Sequence, residues 1–272
     1  MPVRQLQMPR WHASLVPRRS PILKGVHVNI AEKEAIEIDF WKASDIESPE
    51  SQSIVNILTK CAEARVFVEK LQAFGPIFSG AGSILELGGG QGWASCIVKR
   101  FYPAARVVTT DISPAAVASL PKWEHVYQVK IEEGLACRSY STPFPDNSFD
   151  VIFVYCAAHH FIRHRSVLRE IKRVLRPDGT ALYLHEPACR AYIYRLACLR
   201  VNRRRPEVPE DVIRFREIES IAKDLGLTVE THFAPSLINR GPAETIYYLG
   251  LRCLPFLQKV LPCSVDMVIR KG

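Results

Sequence analysis

The sequence predicts an α/β protein built on a doubly wound, mostly parallel sheet, and three observations predict it. An apolar run, Ile84-Leu85-Glu86-Leu87, breaks into Gly88, Gly89, Gly90 and Gly92, four glycines within five positions. A helix-compatible segment over 94–101 then leads to a β-branched run, Val107-Val108-Thr109-Thr110, closed by Asp111. Further on, Val151-Ile152-Phe153-Val154-Tyr155-Cys156 is almost wholly apolar, as a central parallel strand buried on both faces should be. Strand, glycine turn, helix, strand and acid is the order in which such a sheet presents a nucleoside-bearing ligand at the carboxyl edge of its strands.

The residue types explain themselves chemically. Glycine, lacking Cβ, turns at positive φ and lets the backbone approach a ligand closely. The helix behind the turn offers unpaired N–H groups and partial positive charge to a carboxylate or a phosphate. Asp111, at the tip of the second strand, can accept hydrogen bonds from both hydroxyls of a ribose. The dinucleotide fingerprint needs glycine at its first, third and sixth positions. Counted from Gly88, the sixth position is Trp93, which argues against an NAD-dependent dehydrogenase.

Glu86-Leu87-Gly88-Gly89-Gly90-Gln91-Gly92 resembles the E/D-x-G-x-G-x-G motif of class I S-adenosylmethionine-dependent methyltransferases. Two later blocks extend the resemblance to the small-molecule, methyltransferase type 11-like branch. Pro143-Phe144-Pro145-Asp146-Asn147-Ser148-Phe149-Asp150-Val151-Ile152 is similar to the entry into the fourth strand, and Arg169 to Gly179 to the helix and turn before the fifth. The similarity covers roughly 83–186. It implies a Rossmann-like, seven-stranded sheet whose last strand runs antiparallel, an N-terminal helical cap, and S-adenosyl-L-methionine as cofactor. The residues it assigns to the cofactor are Glu86, Gly88, Gly89, Gly90, Gln91, Gly92, Asp111, Ile112, Ser139 and Tyr155. One departure stands out. Many relatives carry an acid for the adenine amino group where this chain has Arg138, which offers no acceptor. Adenine is then left to a backbone group, to Ser139, or to stacking on Arg138 or Tyr140.

Composition is that of an ordinary globular chain, 47% hydrophobic and 24% charged over 272 residues. Eight scattered cysteines form no C-x-x-C pair and read as reduced thiols of a cytoplasmic protein, not as disulfides or a zinc site. No secretory signal and no bilayer-length apolar run is visible. The formal net charge of +8 admits a nucleic-acid partner or an anionic membrane.

The elements follow in order. Residues 1–25 form a basic, Pro-rich arm in which Trp11 is a candidate anchor, and 26–80 a helical cap or lid. Within the cap a helix is expected over 52–74, with Ile54, Ile57, Leu58, Cys61, Ala64, Val68 and Leu71 as one apolar face and Gly75-Pro76 as its stop. The core spans 81–187. Ser113 and Pro114 fit the N-cap and first position of a helix. Alternation over 126–131 predicts the third strand. A helix is expected over 164–175, then the Pro177-Asp178-Gly179 turn and a fifth strand over 181–185. The piece 188–272 is basic around Arg195 to Arg205, amphipathic over 211–225, extended over 227–233, apolar over 246–261, and ends in a strand over 265–270.

Candidate reacting residues lie at the strand tips. His159 and His160 follow the fourth strand, and histidine as a residue type titrates near neutrality. His185 and Glu186 follow the fifth. The sequence thus favours methyl transfer to an O, N or C atom of a small, apolar or aromatic acceptor. Two alternatives stand beside it: an RNA or other nucleic-acid methyltransferase, for which the strand tip Tyr155-Cys156-Ala157-Ala158 lacks the expected Pro-rich or Pro-Cys signature, and a cofactor-binding protein without activity. Tyr and Leu side chains over 192–199 and 246–261 either line a pocket or rest on a membrane surface.

Overall fold

Apolar runs in the middle of the chain pair side by side, with helices packed on both faces of the sheet they form. In the computed structural model, which describes residues 30–44, 48, 54–202, 210–238 and 240–272, helices α1 (Ile30–Ala43), α2 (Ile54–Ala73) and α3 (Gly75–Ser79) precede strand β1 (Ser83–Leu87). Then come α4 (Trp93–Phe101), β2 (Arg106–Asp111), α5 (Pro114–Val117), α6 (Leu120–Tyr127), β3 (Glu133–Ala136), β4 (Phe149–Tyr155), α7 (His164–Val174) and β5 (Leu175–Cys189). The C-terminal piece adds α8 (Tyr194–Val201), β6 (Ile213–Arg214), α9 (Phe215–Asp224), β7 (Leu227–Phe233), α10 (Pro242–Cys253) and β8 (Cys263–Lys271).

The sheet order is β3-β2-β1-β4-β5-β8-β7, with the two-residue β6 alongside β5 off this path. Strands β1 to β5 are mutually parallel, and β8 runs antiparallel between β5 and β7. This is the expected seven-strand arrangement with its reversed final strand, plus the short β6. Alternation along β4 divides the core. Ile152 and Val154 face α7 and α9, whereas Val151, Phe153 and Tyr155 face α2, α4 and α6. Ser113 caps α5, its Oγ accepting from the Ala116 amide at 3.3 Å.

Three expectations are corrected. The third strand is not at 126–131 but at Glu133–Ala136. The alternation there belongs to the end of α6, whose Trp123 is buried with its indole donating to Gln91 at 2.8 Å, and to the link after Gln128. Gln128 stops the helix in the left-handed region at φ 53.

The expected apolar face of α2 holds only in its second half, where Leu71 is buried and Ala64 and Val68 pack against the core beside buried Phe67. In the first half Ile54, Ile57, Leu58 and Cys61 are exposed, while Asn56 and Lys60 are buried. The inward side of that half carries hydrogen-bonding groups, with Asn56 bonded to Gln91 and to the Ser48 carbonyl. Finally, 211–225 is helical only from Phe215, because Ile213 and Arg214 pair with Ala188 and Cys189 of β5. The N-terminal arm with Trp11, and Arg203, Arg204 and Arg205, lie outside the described residues.

Candidate active site

A cavity of about 1230 Å³ opens at the carboxyl ends of the parallel strands, roofed by α1 and α2 and walled on one side by 188–272. Its floor is the glycine turn. Glu86 is 2% exposed and accepts at Oε2 from the Ser95 amide and hydroxyl and from Thr109 Oγ1. It thus ties β1 to β2 and to the start of α4. A Cβ at Gly89 would come within 2.2 Å of Thr109 Oγ1 and 2.7 Å of Glu86 Oε2, so only glycine fits over this brace. Gly90, at φ +54, sits under the Trp41 ring of α1 at a distance that leaves no room for a Cβ. Asp111 ends β2 with one oxygen accepting from the Gly90 amide at 2.9 Å and the other from the Ser113 amide at 2.8 Å.

Both carboxyls are costly to ionise here. Burial pushes Glu86 up to about 7 and Asp111 up to about 6, against the hydrogen bonds that favour their charged forms. Gln91 turns its side chain away from the turn. Its amide donates to Asn56 Oδ1 at 3.2 Å and its carbonyl oxygen accepts from Trp123, so only its backbone can serve a ligand. Gly88, Ile112, Ser139 and Tyr155 line the same cavity. Tyr155 stands edge-on to Phe67 and Trp93, its hydroxyl donating to the Glu63 carbonyl at 3.2 Å.

Arg138 meets a carboxylate that the sequence reading did not select. Its Nε donates to Glu34 of α1 at 3.0 Å, and Tyr140 donates to the other Glu34 oxygen at 2.6 Å. The acid missing from the strand side is brought to the same corner by the cap.

Across the cavity the tips of β4 and β5 leave ordinary backbone geometry. Cys156 (φ 50) and His185 (φ 59) both lie in the left-handed region, a conformation that non-glycine residues adopt at a cost and that clusters at functional sites. At His185 the pairing of β5 with β8 also shifts register between Tyr183 and Glu186. The bulge aims the His185 ring into the cavity beside Tyr155, while its amide donates to Asp266 at 2.8 Å. Burial holds this imidazole down at about 3, so it is neutral.

Glu186 is fully buried and accepts from the amides of Ala157, Ala158 and His159 and from His159 Nδ1. It fastens the turn after β4, a 3-10 turn over Ala158–His160. The other ring nitrogen of His159 lies 3.1 Å from Glu210 Oε2. Burial disfavours the charged imidazole, but the two carboxylates outweigh it and raise His159 to about 10. His160 lies between Glu37 of α1, 3.0 Å from Nδ1, and the same Glu210 oxygen, 3.5 Å from Nε2. The structure therefore brings His159, His160 and His185 to one cavity, keeps Glu186 buried behind His159, and adds Glu37 and Glu210 to the lining. Glu210 has no sequence signal beyond an acidic pair after Pro209, and Glu37 none beyond its place in the cap.

Residues 85–183 match the family described as a methyltransferase domain. Over 100 residues the chain is 35% identical to the uncharacterized methyltransferase YcgJ of Bacillus subtilis, a match covering 36% of this chain and 38% of that one. It is 33% identical over 105 residues to the ubiquinone/menaquinone biosynthesis C-methyltransferase UbiE of Hahella chejuensis, covering 38% of this chain and 42% of the relative. The chain thus matches less than half the length of these relatives. Among solved structures, YcgJ superposes with a TM-score of 0.55 at 18% identity, covering 77% of this chain and 100% of that one. A geranyl diphosphate C-methyltransferase from Streptomyces coelicolor superposes at 0.60 with 11% identity, covering 76% of this chain and 80% of that one. Among the described residues no helix is long and apolar enough to cross a membrane. Residues 85–183 thus match a methyltransferase domain, and the sheet that continues them has the fold of these solved structures.

Proposed function

We propose that the chain transfers a methyl group from S-adenosyl-L-methionine to a small organic acceptor. The observation that carries this reading is the pairing of the glycine turn with Asp111 on one side of a cavity whose other side holds two histidines and Glu210. When bound, the cofactor supplies an electrophilic methyl carbon on sulfur. The glycine turn from Gly88 to Gly92 takes its amino-acid end, and Asp111 its ribose hydroxyls. Glu34 supplies the acceptor that Arg138 lacks, next to Ser139 and Tyr140, for the adenine amino group.

The chain contributes alignment above all. Displacement at carbon needs nucleophile, methyl and sulfur in line, and positioning of this kind is worth on the order of 7–11 kcal/mol at best. The turn after β4, fastened by Glu186, sets the histidines at one height above the floor. His159 carries its proton at neutral pH and holds Glu210 in place, so His160 and Glu210 are the groups placed to take a proton from an acceptor hydroxyl or amine. Neutral His185, stacked on Tyr155, shapes the wall.

The acceptor side combines aromatic and apolar surface, from Phe40, Trp41, Val201 and Tyr248, with Arg200 and Arg240. That lining suits a small ring-bearing or apolar acceptor with one polar handle. The test is calorimetric titration with S-adenosylhomocysteine, followed by incubation of cellular extract with labelled methyl donor. Micromolar uptake of the first and labelling of a small product support the reading. Failure to bind either donor or S-adenosylhomocysteine overturns it.

A further inference from the structure

The geometry points to a divalent transition-metal site formed by His159 Nε2, His160 Nε2 and a carboxylate oxygen of Glu210. Among the described residues this is a group whose ligand atoms all lie within 4.8 Å of one another. The two rings are arranged alike. Each has Nδ1 beside a carboxylate: His159 is hydrogen-bonded to Glu186 at 2.8 Å, and His160 lies 3.0 Å from Glu37 without hydrogen-bond geometry. Each turns Nε2 toward the same oxygen, Glu210 Oε2, at 3.1 and 3.5 Å. Outer carboxylates on Nδ1 are the usual support of metal-binding imidazoles, fixing ring orientation and leaving Nε2 as the ligand. Ligand bonds of about 2.0–2.2 Å put neighbouring ligand atoms roughly 3.0–3.5 Å apart, which is the spacing of each Nε2 from Glu210 Oε2 here.

The third ligand is held as firmly as the first two. The Glu210 amide donates to Asn202 Oδ1 at 2.9 Å, and Asn202 Nδ2 donates to the Glu210 carbonyl at 2.8 Å. One amide side chain at the end of α8 thus clamps both main-chain groups of Glu210. Two imidazoles and one carboxylate suit zinc, manganese, iron or cobalt better than magnesium or calcium, which prefer all-oxygen sites. Three protein ligands leave coordination positions open to the cavity. A cation entering here takes the place of protons held between the rings and Glu210. Its role, holding an oxygen of the acceptor against the methyl donor, rests on the reading above; the site itself does not.

Co²⁺ is the probe, because its spectrum separates nitrogen and oxygen ligands from the eight thiols of this chain. The full chain is titrated and its visible d–d absorption followed, with S-adenosylhomocysteine affinity measured on the same samples. The expected result is one Co²⁺ per chain, without a sulfur charge-transfer band, and at least tenfold weaker binding in both Glu210→Gln and His160→Gln while S-adenosylhomocysteine affinity is kept. Glu37→Gln, which leaves the three ligands in place, weakens Co²⁺ roughly 10- to 100-fold.

No Co²⁺ uptake by the unmodified chain, a spectrum carried by sulfur, or undiminished uptake in either Glu210→Gln or His160→Gln overturns the site. If one of these two variants also loses S-adenosylhomocysteine, it has lost its fold, and the other decides. A chain that takes Co²⁺ but not S-adenosylhomocysteine keeps the site and loses the methyl-transfer reading.

Discussion

On the glycine side of the cavity, the contacts that shape the floor join near neighbours: Glu86 with Ser95, 9 positions on, Gly90 with Asp111, 21 on, and Glu86 with Thr109, 23 on. On the histidine side the distances along the chain are longer. His159 meets Glu186, 27 positions on, and Glu210, 51 on, while Lys33 reaches the His160 carbonyl 127 positions away. The first side is one strand-turn-helix-strand unit that folds on itself. The second is assembled from α1, the tips of β4 and β5, and the segment after α8. The difference teaches that the floor of the cofactor end is a property of a local motif, whereas the acceptor end belongs to the whole fold.

The comparison can be broken at several points. Asp111→Ala removes the acceptor of the Gly90 and Ser113 amides together with the ribose contact. Hydrogen bonds to charged groups are worth about 1.5–3 kcal/mol each, so S-adenosylhomocysteine affinity should fall roughly 100-fold or more by calorimetry, with Co²⁺ uptake untouched. Loss of both would show that the two sides are not separable.

The second effect is one of pH. Folded Glu86 keeps its proton up to about 7, against 4.5 for an ordinary glutamate. Between these values the folded chain binds a proton that the unfolded chain has released, so stability falls as pH rises through that window. Glu86→Gln, neutral throughout, should match the parent chain below about pH 4.5 and exceed it by roughly 3 kcal/mol above about pH 7. Denaturant midpoints measured at both ends test this, and a gap that stays constant with pH would remove it.

Gly89→Ala follows. The added methyl meets Thr109 and Glu86 in the brace, and overpacking of this kind costs about 1–3 kcal/mol, read as a lower thermal midpoint. Smallest is Glu34→Gln, which weakens the cap's hold on Arg138 and Tyr140. It should lower S-adenosylhomocysteine affinity about 3- to 10-fold, on the order of 1 kcal/mol, and unchanged affinity would take Glu34 out of the adenine corner.

Much of this was legible beforehand, and the misses share a cause. Glycine spacing, Asp111 and the apolar β4 are demands of local backbone and burial, so they show in the residues themselves. The third strand was misplaced because a helix end followed by an irregular link mimics alternation over six residues. The apolar face of α2 was misread because periodicity reveals amphipathicity without saying which side meets the cavity. Asn56 and Lys60 are buried there, Asn56 by its hydrogen bonds to Gln91 and Ser48 and Lys60 at the cavity lining. Trp41, Glu34, Glu37 and Glu210 carry no signal of their own, and each acquires its place from a partner far along the chain.

By itself the sequence determined a parallel sheet with a glycine-floored pocket at its carboxyl edge, since steric freedom at glycine and burial of apolar strands act over short stretches. Only tertiary structure decided what faces that floor. The coming together of two histidines with three carboxylates depends on the angle at which the cap and the C-terminal piece pack on the sheet, and packing angles are set by the summed contacts of the core rather than by any one segment.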